Sequence, residues 1–250
     1  MSISTNSVIH YTSKLDNLKG IISTQGFKLK YCSENLKTKS RSLSSAIPML
    51  SFCDIPLSEV KNHLDSYGFY GIGLTKDWAK EKGLNPVLYL EKESILANHI
   101  GTQYKRIAEL HKTTGMDLQL QNEFTNFLSY CKNYEGKLVH EKINTNSYRF
   151  YDEREWRYVA SKEDLNGAPV IVSGKNYLKE KNKYNEKIKD CVIKFSFKDI
   201  SYIIVEDEND IPSILKILNE TYENQVGCTS RDLKILSTKI ITKNQICNDF

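Results

Sequence analysis

The 250-residue chain has no long apolar run, which excludes a transmembrane helix. Residues Met1 to Ser7 are polar and lack the basic-then-apolar layout of a secretory signal, so the expected compartment is the cytoplasm. Cysteine occurs six times, at Cys32, Cys53, Cys131, Cys191, Cys228 and Cys247, but never as a C-x-x-C pair. That spacing offers no zinc motif and reads as reduced, structural thiols of a cytosolic protein, so no metal is expected. No Pro/Gly/Ser-rich linker divides the chain, and no internal repeat is present. A strong charge of one sign is also missing, since 35 lysines and arginines face 31 acids for a net +4. That balance permits contact with nucleic acid or a nucleotide phosphate but does not demand it.

What is there is ordinary globular material, 40% hydrophobic and 26% charged. A chain of this size can bury a core without disulfides or metals, and one domain over residues 1–250 is expected. Val8 to Tyr11 reads as a strand, with Thr12 or Ser13 capping a helix marked by Leu15, Leu18, Ile21 and Ile22 and closed by Gly26. Phe27 to Tyr31 alternates as an edge strand does, and residues 33–47, with Lys37, Lys39 and Arg41 among five serines, read as a mobile loop. Pro48 to Asp54 is a buried strand closed by Pro56, followed by a short helix from Leu57 to Leu64. Thr75 caps a helix that ends at Gly83, and Pro86 to Leu90 is a strand. Residues 91–145 show helical spacing and are expected to form an insertion of two or three helices. Residues 151–160 return to strand, 175–190 read as a lysine-rich loop, and strands follow at 191–197 and 201–206. A helix at 211–223 and a tail ending in a strand at 233–241 complete the chain. Strands on both sides of a helical block point to an α+β fold with a mixed or split sheet.

Three features carry candidate chemistry. His10-Tyr11-Thr12 ends the first strand just before a helix. Glu153 and Glu155 are two apart on an expected strand, where period two would set both carboxylates on one face and Arg154 and Trp156 on the other. Two acids on one face repel, so they call either for a chemical role or for a cation such as Arg154 or Arg157 beside them. Tyr67-Gly68-Phe69-Tyr70-Gly71-Ile72-Gly73 combines flat aromatic faces with glycines that permit close approach. Its spacing matches neither the dinucleotide nor the P-loop fingerprint, which favours a strand with closely packed glycines.

The stretches His10 to Gly26, Pro48 to Ser58, Tyr67 to Leu74 and Glu155-Trp156-Arg157 together resemble the AbiGi family of abortive phage-resistance proteins, often the antitoxin half of a pair. The opening is also similar to DarT-type DNA ADP-ribosyltransferases and RNA 2′-phosphotransferases. That second resemblance implies an ADP-ribosyltransferase-like split mixed β-sheet core and NAD as substrate. By it, His10 grips the ribose with Tyr11 and Thr12 beside it, Tyr67 or Tyr70 stacks on nicotinamide, Glu155 is the catalytic glutamate and Glu153 orients the acceptor. Such a carboxylate would stabilise the oxocarbenium-like charge that builds on the ribose.

The resemblances imply two functions. One is an NAD-dependent ADP-ribosyltransferase acting on nucleic acid or protein, with the basic stretch at 28–41 near its site. The other is a catalytically inactive antitoxin that neutralises a partner toxin by contact. A metal-dependent nuclease built from Glu153, Glu155 and Asp54 is a third reading, without a compact ligand motif. A cognate toxin or antitoxin partner is expected, and a membrane is not.

Overall fold

A computed structural model describes residues 4–60, 67–114, 118–140 and 143–249. In chain order the strands are β1 (Ser7–Thr12), β2 (Gly26–Lys28), β3 (Lys30–Lys37), β4 (Ser42–Cys53), β5 (Tyr70–Thr75), β6 (Asn85–Pro86), β7 (Leu88–Leu90) and β8 (Cys131–Asn133). There follow β9 (Gly136–His140), β10 (Ile143–Tyr148), β11 (Glu155–Val159), β12 (Val172–Ser173), β13 (Val192–Lys194), β14 (Ile200–Val205) and β15 (Ile240–Thr242). With the helices between them the chain is an α+β protein. By proximity it forms two compact units: Met1–Lys28, Ser51–Leu84 and Val192–Phe250 make the first, and Leu29–Leu50 with Asn85–Cys191 make the second.

In the first unit the strand order is β15-β14-β5-β1, with β1 meeting the end of β4 at Ile9↔Cys53. Pairing is antiparallel except for β14 with β15, so the sheet is mixed. A parallel neighbour needs a crossover, and the helices Ile211–Tyr222 and Ser230–Ser237 occupy that connection. Helix Ile211–Tyr222 has Pro in its first turn and buries Ile214, Leu218 and Tyr222, one stripe at helical spacing. It packs on helix Leu15–Thr24, whose buried residues are Leu18 and Ile22. Phe27, Phe52, Trp78 and Phe195 form an aromatic cluster between the elements.

The glycines of β5 show why that segment is a strand. A Cβ at Gly71 would lie 3.2 Å from the Tyr11 ring, and one at Gly73 would lie 3.1 Å from the Tyr202 ring. Neighbouring aromatic rings pack close against the glycines, as expected for close strand packing. Thr75 caps helix Lys76–Glu81 by accepting from the Trp78 amide, also as expected.

In the second unit β3 and β4 form a hairpin in unbroken register from Lys30↔Met49 to Lys37↔Ser42. The other edge of β4 carries β12 and β11, and β11 pairs with β6. β7 and β8 are parallel, and β9 and β10 are an antiparallel hairpin. Helices Ile95–Thr114 and Leu118–Ser129 cover a small core of Leu36, Leu90, Ala97, Ile100 and Cys131.

Several local expectations are corrected. Residues 33–47 are not a loop but most of the β3–β4 hairpin, because the serines and lysines occupy outward positions while Leu36 and Ala46 point inward. The helical insertion stops at Ser129, and 131–148 forms β8, β9 and β10; short runs such as Leu138-Val139 fit either period. The lysine-rich segment is helix Gly174–Lys187, bent at Glu180, with Tyr177 buried against β3 by its hydrogen bond to the Tyr31 carbonyl at 2.6 Å. Neither Thr12 nor Ser13 caps the first helix, whose cap position is Lys14; Thr12 Oγ1 instead accepts from Asn17 at 2.9 Å. The left-handed residue closing that helix is Gln25, so Gly26 is free to begin β2. The tail strand is β15, set between two helices. The expected helix from Leu57 to Leu64 opens as a tight turn at Leu57–Glu59, and its remainder lies partly outside the described residues.

Gly68 has φ +114, and a Cβ there would overlap the Thr12 carbonyl oxygen and come within 2.6 Å of Ser13 Cα. Gly83 also has positive φ, +75, but open space around it. Gly68→Ala, which adds steric overlap to backbone strain, is therefore expected to lower stability by about 3 kcal/mol, and Gly83→Ala, strained in its backbone alone, by about 1 kcal/mol. Thermal denaturation of the two variants side by side checks the ranking.

Candidate functional site

The densest chemistry lies in the second unit. β11 alternates so that Glu155 and Arg157 share one face. The Arg157 side chain is fully buried, and Glu155 is 3% exposed. Their side chains form a two-point pair, Nε to Oε1 at 2.8 Å and Nη2 to Oε2 at 3.0 Å. Arg157 Nη1 donates to the Ser129 carbonyl at 2.6 Å. Ser129 ends a helix whose last carbonyls lack internal partners and carry partial negative charge, a natural place for a cation. Arg157 Nη2 also reaches Glu34 Oε1 of β3 at 3.2 Å.

Lys132 of β8 extends the network. Its Nζ lies 2.7 Å from Glu153 Oε2, 3.0 Å from Glu155 Oε2 and 4.8 Å from the centre of the Phe150 ring. Glu153 does not stand on the strand as expected: it ends the tight turn Phe150–Glu153, and Arg154 at φ 47 swings the chain into β11. The same-face neighbour of Glu155 is thus Arg157, while the two glutamates meet through Lys132. Tyr89 supplies the remaining support, its hydroxyl accepting from the Glu155 amide at 2.8 Å.

Burial opposes ionisation of Lys132, Arg157 and Glu34, and its balance against their charged neighbours decides each outcome. For Lys132 and Arg157 burial would lower the pKa, but Glu155 and Glu34, joined by Glu153 at Lys132, outweigh it, and both stand above their ordinary values. For Glu34 burial wins over Arg157 and Lys132, and its carboxyl is held above the usual carboxylate range. Burial likewise pushes the Cys32 thiol up to about 11, so it is a thiol and not a nucleophilic thiolate.

The other expected site residues belong to the first unit. His10 Nδ1 is 2.9 Å from the Ser51 carbonyl oxygen, which places a ring proton on Nδ1, and the ring packs edge-on to Phe27 at 5.2 Å. Tyr11 is on β1, with its phenol pushed well up by burial and then by Cys53. Tyr70 opens β5 and directs its hydroxyl to Glu206 and Asp210, each at 3.2 Å, while Tyr67 precedes the strand. Asp54 accepts from Lys76 at 2.7 Å and from Ser4 and Thr5. Among the described residues no group of three histidines, cysteines or acids is placed to hold a metal.

Glu34 and Lys132 escaped the sequence reading because nothing in their local pattern marks them. Arg157 was legible as a partner for the acids, since it lies two residues beyond Glu155.

The second unit is thus an α+β scaffold whose most concentrated charges are spent on one another. The chain belongs to the AbiGi family: residues 25–206 match the family described as "Putative abortive phage resistance protein AbiGi, antitoxin". That stretch includes all five charged network residues and begins after His10, Tyr11 and Thr12. A relative described as "Abortive phage resistance protein AbiGi", from Lactococcus lactis subsp. cremoris, is 27% identical over 225 residues, covering 82% of this chain and 89% of its own. No solved structure matches.

Removing one member of a buried ion network leaves the others uncompensated. Arg157→Met is expected to cost about 3–5 kcal/mol, read by chemical denaturation. Glu34 behaves oppositely. Its folded-state pKa is raised, so the cost of ionising it is absent below the ordinary carboxylate pKa and fully present above the raised one. Glu34→Gln is expected to raise the melting temperature at neutral pH, with the gain fading as pH falls to about 4.

Proposed function

We propose that this protein is the antitoxin component of an abortive phage-resistance system and acts by binding a partner toxin protein. The family description supports the role, and the state of Glu155 supports binding over catalysis. A transferase glutamate must be free to approach the ribose as positive charge develops. Glu155 has Oε1 engaged by Arg157 and Oε2 shared between Arg157 and Lys132. Its negative charge is already neutralised in the ground state, so little is left to stabilise an oxocarbenium-like transition state.

Two measurements test this. Co-expression with the protein encoded beside it is expected to relieve that partner's toxicity, and the two are expected to co-purify. Incubation with labelled NAD and separate pools of DNA, RNA and cell protein is expected to transfer no label. Transfer by the wild type that is lost in Glu155→Gln would replace the antitoxin reading with an ADP-ribosyltransferase, and the labelled pool would name its acceptor.

A further inference from the structure

The second unit contains a cavity of about 190 Å3, walled by β3, β4, β12 and the helices Ile95–Thr114 and Leu118–Ser129. Apolar side chains such as Leu36, Ile47 and Leu128 alternate with hydroxyls such as Ser45 and Thr125. Among the described residues lining it, Glu34 alone is charged. Glu34 Oε1 accepts from Arg157, and no described residue donates to its Oε2.

Among the described residues Lys132 bridges Glu153 and Glu155, and Arg157 pairs with Glu155 and reaches Glu34 with a single nitrogen. The carboxylate that opens on the cavity is the one whose ionisation burial disfavours. A cation entering the cavity would meet the Glu34 carboxylate.

Size and rim narrow the choice of cation. Pockets for small molecules usually hold about 300–1,000 Å3; this one is on the scale of a single long side chain. Tyr104 lines it and is 39% exposed, and the same two helices expose Ile95, Leu96 and Phe127. Arginine suits such a place: its stem lies along apolar walls, and its planar fork sheds water more easily than an ammonium does. Interface anchors are commonly of this kind.

We propose that this cavity receives an arginine side chain of the partner protein, with the guanidinium donating to Glu34 and the stem against Leu36 and Leu128. The inference rests on the binding role proposed above and assigns that role a contact surface.

The test is an NMR titration of the full chain with N-acetyl-arginine-methylamide. Saturable shifts are expected at the Ser44, Ser45 and Ser129 amides, with at least tenfold weaker binding of the uncharged citrulline analogue. Glu34→Gln is expected to abolish the response. Thr125→Met, which fills the cavity from its helical wall and leaves the ion network intact, is expected to do the same. No shifts, an equal response to citrulline, or tighter binding of free agmatine would overturn the proposal, the last by pointing to a metabolite. In the co-expression assay, protection by the wild type and equally by both variants would sink the cavity and leave the antitoxin role standing. Failure of the wild type to protect would sink that role, with the titration still deciding what the cavity takes.

Discussion

A guanidinium with no access to water must find its hydrogen-bond acceptors inside the protein, and Arg157 finds them on three separate elements. Its donors hold β11 through Glu155, the end of helix Leu118–Ser129 through the Ser129 carbonyl, and β3 through Glu34. Lys132 then links the same carboxylate to β8 and to the turn that carries Glu153. Buried ion pairs gain little net stability because desolvation offsets attraction. They are nonetheless exacting about geometry, since any displacement leaves a charge unpaired in a medium that cannot screen it. The second unit is organised around that requirement. Asn133 reinforces it by clasping the Lys37 backbone at 2.8 Å on both its amide and its carbonyl.

The same requirement bears on function. A carboxylate already neutralised by two cations is a poor instrument for stabilising new positive charge, whereas Glu34, with one oxygen lacking a described donor, faces a cavity. Recognition of a partner is the use proposed above for such a site. The family's antitoxin description agrees with a protein that works by contact.

Legibility differed between the two units. In the first, β1, β14 and helix Ile211–Tyr222 followed from their apolar patterns and β5 from its glycines and aromatics, because each element's own pattern agrees with its place. In the second, the β3–β4 hairpin and the helix Gly174–Lys187 were hidden by their polar outer faces, which resemble loops when the inward residues are few. Strands β8, β9 and β10 were hidden by brevity, being too short to separate a period of two from one of 3.6. Of the charged network, Glu155 and Arg157 could be paired from spacing along one strand. Glu34 and Lys132 could not, since they come from distant parts of the chain.

The family came from resemblance; by itself the sequence determined the α+β class, the lack of a run long and apolar enough to cross a membrane as a helix, and the glycine-aromatic strand. These depend on composition and on patterns within a few residues. Only the tertiary structure decided that Glu153 leaves the strand, that Glu155 is held by Arg157 and Lys132, and that Glu34 opens on a cavity. Those facts depend on which distant segments share a desolvated space, and there the electrostatic cost of burial selects the partners.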